Sequence, residues 1–169
     1  MRGKELRLDT FAMRGILAGT RTQIMVPCDK SVGETEYLKY SKGTSVCLKE
    51  PWRVVYLTGS LTLPDKEGIL YRADYRFKSC AVKRYWCGNP DWRPACNLPT
   101  KYARMHVKVT ESRILYLKDI TKEDLTLQGF TRKDRVVRFV EYWDSRNPAA
   151  YRYVRDPAVI AYTFEVSEV

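Results

Sequence analysis

The residues best equipped for chemistry in this chain are cations set among aromatic rings. Between positions 71 and 104 stand eight Lys or Arg against two Asp. They are interleaved with Tyr71, Tyr75, Phe77, Tyr85, Trp86, Trp92 and Tyr102. Cationic side chains meet phosphates, and ring faces stack on unpaired bases. Arg72, Trp92, Arg93 and Arg104 are therefore candidate contacts to a nucleic acid or nucleotide. Two of them, Arg72 and Trp92, also have a plainer role. Arg72 can pair with Asp74, and Trp92 can plug one end of the fold while Arg93 lines a pocket mouth. Glu50 ends a strand next to Pro51 and Trp52. It can accept hydrogen bonds from a base edge or form an ion pair with Arg93 or Arg104.

The whole composition points the same way. The formal net charge is +10, a balance that favours polyanionic partners, nucleic acid above all. Apolar residues make up 44% and aromatic residues 12%, which describes an ordered chain able to bury a core. No apolar run approaches the ~20 residues of a membrane span, so no membrane partner is expected. The first residues are charged and lack a continuous apolar stretch, and the expected location is the cytoplasm, that of a host cell if phage-encoded. Motifs for a phosphate loop, a serine nucleophile elbow and a zinc protease helix are missing. The single histidine, His106, sits on a basic strand face. Of the five cysteines, Cys80, Cys87 and Cys96 could join His106 around a metal, but their spacing fits no common zinc pattern. Free thiols, no metal and no cofactor are the expectation.

These residues need elements to hold them. A helix is expected over 10–19, with Thr10 as its cap and Gly19 at its end. Strands are expected over 21–26, 44–49, 53–58, 69–72, 105–109 and 114–118, and in the last run around Ile160, Tyr162, Phe164 and Val166. Residues 28–43 read as a loop, 60–68 as a turn, and 76–100 as an irregular basic-aromatic insertion punctuated by Pro90, Pro94 and Pro99. Two more helices follow capping signals, over 122–128 and 133–144. In the second of them, Val136, Phe139, Val140 and Trp143 form one stripe. One domain over 1–169 is expected, mainly β within the α+β class: a small β-barrel of about five or six strands with a few short flanking helices.

Several segments carry a resemblance, in chain order. They are ILAGTRTQ at 16–23, DWRPACNLPTKYAR at 91–104, LKDITKEDLTLQGF at 117–130, EYWDSRNP at 141–148 and PAVIAYTFEV at 157–166. Together they resemble the phage and prophage group of the ASCH family, within the PUA-like superfamily. Lys49-Glu50-Pro51-Trp52 is a close variant of an Arg-Glu-Thr-Trp run usual in such relatives. The resemblance implies a PUA-like pseudobarrel. Some short ASCH proteins are 4-acetylcytidine amidohydrolases that use a lysine and a threonine of a Gly-x-Lys-x-x-Thr-x-Arg segment, plus a glutamate in a later helix. Here those positions hold Arg21, Ile24 and Gln128, and Val26 replaces the closing arginine. Arginine stays protonated, isoleucine has no hydroxyl and an amide shuttles no proton. The amidohydrolase activity is accordingly not expected, and whether the chain is an enzyme stays open, leaning to no. Arg21 and Gln128 remain candidates for binding, one through a charged fork and one through amide hydrogen bonds.

The expected function is binding of RNA, single-stranded nucleic acid or a modified nucleotide in a basic cleft. Two alternatives stand beside it. One is a phage protein that binds and inhibits a host or defence protein. The other is an ASCH enzyme of the amidohydrolase or ribonuclease kind.

Overall fold

The computed structural model describes residues 4–28, 38–57, 66–74 and 91–167. Cys80, Cys87 and most of the basic-aromatic insertion, including Tyr75, Phe77, Tyr85 and Trp86, lie outside the described residues. The elements in chain order are β1 (Glu5–Arg7), α1 (Thr10–Leu17), β2 (Gln23–Pro27), β3 (Ser45–Lys49), β4 (Trp52–Leu57), β5 (Lys66–Tyr71), β6 (Met105–Tyr116), α2 (Lys122–Leu127), α3 (Arg135–Arg146) and β7 (Ala158–Ser167). The class is α+β. Strands β1-β3-β6-β7-β2 form a mixed five-stranded sheet, and β4 and β5 form a separate antiparallel pair. Among the described residues no helix is long and apolar enough to cross a membrane.

The sheet does not close into a barrel. Strands β1 and β2 are its edges and do not pair with each other. Residues of both nevertheless line one cleft of about 950 Å³, so the sheet curls until its edges face across a gap. Two features keep that seam open. β1 is only three residues long, which leaves little backbone for a second pairing on its free edge. β2 ends on Pro27, which has no N–H to donate, a residue type that sheets confine to edges.

Both faces of the sheet are covered. In β7, Ile160, Tyr162 and Phe164 enter one core with Met13 and Ile16 of α1. Val159 and Ala161 enter a second core with Leu125 of α2 and Phe139 and Trp143 of α3. Period-two geometry sends alternate side chains to opposite faces, and here both faces are apolar. β6 is one strand of 12 residues rather than the two short strands expected. A β-bulge between Val109 and Glu111 shifts its register against β7. Val107 and Val109 face the first core before the bulge, and Ile114 faces it afterwards. One extra residue exchanges the faces, so the alternation looks broken in the sequence although the strand continues.

Local signals decide the helices. α1 is capped by Asp9, whose carboxylate accepts from the Ala12 N–H at 2.9 Å. Thr10 is the first helical residue, not the cap. Gly19, at φ +68°, takes the left-handed conformation that ends the helix region. α2 carries a complete capping box between Thr121 and Asp124. Asp124, 1% exposed, also accepts from Gln23 of β2 at 3.1 Å and is ion-paired with Arg113 of β6. That one carboxylate ties α2 to two strands and so fixes the position of Gln128 at the helix end. α3 starts at Arg135 rather than 133, and Asp134 makes no side-chain cap. At its other end the Trp143 indole donates to the Tyr151 carbonyl at 2.6 Å, and Asn147 caps the Trp143 carbonyl at 2.9 Å.

Candidate functional site

The seven candidate residues fall into three groups: Arg21 with Gln128, Arg72 with Trp92 and Arg93, and Glu50 with Arg104. The first two groups line adjoining cavities, and the third is an ion-pair cluster.

Arg21 lies just after the Gly19 turn and is 3% exposed. A Cβ built on Gly15 would stand 3.0 Å from the Arg21 Cβ, so glycine there makes room for the arginine. The Arg21 Nε donates to the Gln128 carbonyl at 2.8 Å, and Nη1 donates to the Tyr142 hydroxyl at 3.4 Å. The guanidinium lies 5.2, 5.3 and 5.8 Å from the ring centres of Phe11, Tyr142 and Phe130. No carboxylate among the described residues pairs with it directly. A negative charge is reached through Tyr142, whose hydroxyl donates to Asp9 at 2.5 Å. Burial holds the Tyr142 phenol above its ordinary range, so it remains an O–H donor. A buried guanidinium with no direct counter-charge is costly, and such a group favours an incoming anion or acceptor.

Gln128 ends α2 and is 2% exposed. Its Nε2 is buried with no acceptor. Arg21 and Gln128 both line a cavity of about 230 Å³ between the β1–α1 junction, β2 and the end of α3. Buried polar groups are usually satisfied, so an orphan donor on a residue that lines this cavity stands out. Ile24 and Val26 also line this cavity and supply an apolar wall.

A second groove of about 520 Å³ shares Arg7, Leu8, Asp9 and Arg146 with the inner cavity. Arg72, Trp92 and Arg93 complete its charged and aromatic lining. Four arginines thus face one carboxylate, Asp9. Asp9 is already engaged by the Ala12 N–H, by Tyr142 and by Arg146 at 3.2 Å. Arg72 does not pair with Asp74, because Arg104 occupies that carboxylate. Neither Arg72 nor Arg7 makes an ion pair among the described residues. Arg93 joins β4 through backbone hydrogen bonds with Trp52 at 2.8 and 3.2 Å. Its guanidinium lies 5.1 Å from the Trp52 ring centre. Trp92 is half-buried at the groove, whereas among the described residues Trp52 and Trp143 are the buried tryptophans, 4% and 3% exposed.

The third group is committed to structure. Arg104 grips Glu50 with Nε at 2.8 Å and Nη2 at 3.2 Å, and grips Asp74 at 2.6 and 3.0 Å. Its guanidinium covers the Tyr71 ring at 4.3 Å. Burial raises the Glu50 carboxyl above the usual range, and Arg104 opposes that rise. Burial likewise works against the Arg104 charge, but the hydrogen bonds to Glu50 and Asp74 outweigh it and hold the guanidinium above its ordinary value. Of the two roles open to Glu50, the ion pair is the one formed, and Arg104 rather than Arg93 is its partner. The cluster pins the start of β6 to the ends of β3 and β5, beside the groove that Pro51 and Arg72 line.

Sequence inspection missed Arg7, Asp9, Tyr142 and Arg146. Asp9-Thr10 ahead of an apolar helix was a usable capping signal for Asp9. Nothing local marked the other three. His106 pairs with Cys47 and Ser167 in the sheet and lines neither cavity. Among the described residues, Cys47 and Cys96 are free thiols, the first buried and the second exposed.

No family model matches the sequence, and no curated protein does. Among solved structures the chain is similar to protein EF3133 from Enterococcus faecalis V583, of the family DUF984. The TM-score is 0.51 at 9% identity, covering 98% of this chain and 80% of that one. That likeness concerns the fold alone.

Proposed function

We propose that this protein binds a nucleotide unit of a nucleic acid, RNA or single-stranded, or a modified nucleotide. In this reading it is an ASCH-type chain of the phage or prophage group, its curled sheet a PUA-like pseudobarrel left open at the β1–β2 seam. The observation that carries the proposal is a buried Arg21 guanidinium with no carboxylate partner among the described residues, beside the unsatisfied Gln128 Nε2, behind a groove lined by four arginines. The inner cavity, about 230 Å³, is smaller than the ~300–1,000 Å³ of sites that take drug-sized ligands. It suits one base or one phosphoryl group. A base carbonyl or phosphoryl oxygen accepts from Gln128 and Arg21, while Arg7, Arg72, Arg93 and Arg146 meet phosphates outside. Binding, not turnover, is the proposed activity, because Arg21, Ile24 and Gln128 offer neither a nucleophile nor a proton shuttle.

Titration with uridine monophosphate and with short oligouridine, followed by calorimetry, tests this. Gln128→Leu should abolish most of the affinity and leave the melting temperature unchanged or raised, because it removes an unsatisfied buried amide. Four phosphate contacts at roughly −0.7 each imply a fall of about fifty-fold between roughly 50 and 200 mM salt. Affinity that ignores both the salt and Gln128→Leu would overturn the proposal.

A further inference from the structure

A third depression, about 530 Å³, lies on the far side of the Arg21 cage. It is formed by Phe11 of α1, the turn 129–132 and the exposed side of α3. Tyr142 lines both this groove and the inner cavity, which lie to either side of the cage it helps to form. Arg132, Arg135 and Arg138 face the groove, with Glu141 as the carboxylate among its lining residues. Arg132 is exposed and makes no ion pair among the described residues. Arg135 has only a 3.5 Å contact to the Thr126 hydroxyl. Arg138 pairs with Asp134 at 2.6 Å, but both side chains are about half exposed. A pair of that kind contributes little and yields readily to a stronger anion.

Phe11 supplies the other half of the chemistry. It packs against Phe130 and Tyr142 with ring centres 5.6 and 5.0 Å away, yet it is 46% exposed. A large ring held in place by neighbours and open to a basic groove is a platform for an unpaired base. The arginine groove shares four lining residues with the inner cavity, and the inner cavity shares Tyr142 with this groove, with cations at both ends and the unsatisfied Gln128 Nε2 between them. A mononucleotide reaches one end only. A duplex keeps its bases stacked and cannot place one in the cavity.

On the reading of the inner cavity given above, we infer that the ligand is a single strand of several nucleotides. It crosses the cavity and continues past Tyr142 into the α3 groove, one base stacking on Phe11 and its phosphates meeting Arg132, Arg135 and Arg138.

Fluorescence anisotropy with labelled oligouridine and oligothymidine of increasing length, beside uridine monophosphate, tests the inference. Affinity should step up by about ten-fold or more on reaching about four to six nucleotides, since one stacked base and two or three phosphates are added. The double variant Arg132→Glu and Arg135→Glu should remove the step while leaving the monophosphate affinity unchanged. Phe11→Leu should weaken the long oligonucleotides more than an inorganic polyphosphate of equal charge. A preference between oligouridine and oligothymidine, which differ in the sugar and in the base methyl, supports the inference in either direction. If the monophosphate binds through Gln128 but length adds nothing, the inference falls and the proposed function stands. A length step that survives the double charge reversal also overturns it. If neither monophosphate nor oligonucleotide binds, both fall.

Discussion

Arg104→Met isolates the Glu50–Arg104 cluster and puts a number on it. Glu50 is 1% exposed and Arg104 27% exposed at their side chains. Removing one partner of a buried pair costs about 3–5 kcal/mol, because the other charge stays buried and uncompensated. Water reaches the Arg104 side, so the low end applies, about 3 kcal/mol. For a chain of this length each kcal/mol moves the melting temperature by roughly 2–4 °C, giving a fall of about 6–12 °C. The Asp74 arm is 47% exposed and surface-like. Asp74→Asn should therefore cost no more than about 1 kcal/mol. The pH dependence is diagnostic. Burial already raises the Glu50 carboxyl above its ordinary 4.5, and losing the opposing guanidinium raises it further. A carboxyl raised in the folded state binds its proton more tightly there than in the unfolded chain. Lowering the pH from neutral toward about 5 should then stabilise the variant and narrow its deficit. Urea unfolding of the wild type, of Arg104→Met and of the double variant with Glu50→Gln measures this at both pH values. The double variant should recover at least half of the loss. The reasoning is refuted if Arg104→Met lies within about 1 kcal/mol of the wild type at neutral pH. A deficit that does not change with pH, or additive single losses, would refute it equally.

Two further outcomes follow from other carboxylates. Hydrogen bonds from Gln23, Thr121 and Arg113 overcome the effect of burial and hold Asp124 below its ordinary 3.8. Asp124→Asn should therefore cost about 1–2 kcal/mol at neutral pH, and the difference should vanish as the pH falls below that value, as acid urea unfolding would show. Asp9→Ala removes the α1 cap and leaves Tyr142 without its acceptor. It should cost about 2–3 kcal/mol, more than Asp9→Asn, in the same unfolding assay.

What the sequence determined by itself was whatever rests on neighbours three or four residues apart, or on strict alternation. Thr121 and Asp124 stand three apart, so the α2 capping box was legible, as was the alternation through Ile160, Tyr162 and Phe164. The cationic and aromatic character of the candidate site was legible too, because composition needs no geometry. Partner choice was not. Arg104 meets Glu50 across 54 positions and Asp74 across 30, and Arg21 meets Gln128 across 107. Arg93 and Arg104 were equivalent cations for Glu50 until the fold brought one guanidinium to it and laid the other over Trp52. The bulge in β6 hid a continuous strand, since one inserted residue exchanges the faces and looks like an interruption. Closure of the sheet was decided by tertiary structure as well: the two edge strands face each other across a gap, and pairing them would need a longer β1 and an N–H at Pro27. Tertiary packing also made the inner cavity. It buried Arg21 among three rings with no carboxylate beside it and left Gln128 Nε2 without an acceptor. Burial leaves the arginine without a counter-charge and the glutamine with an unmet donor, and burial is a property of the folded chain rather than of any stretch of it.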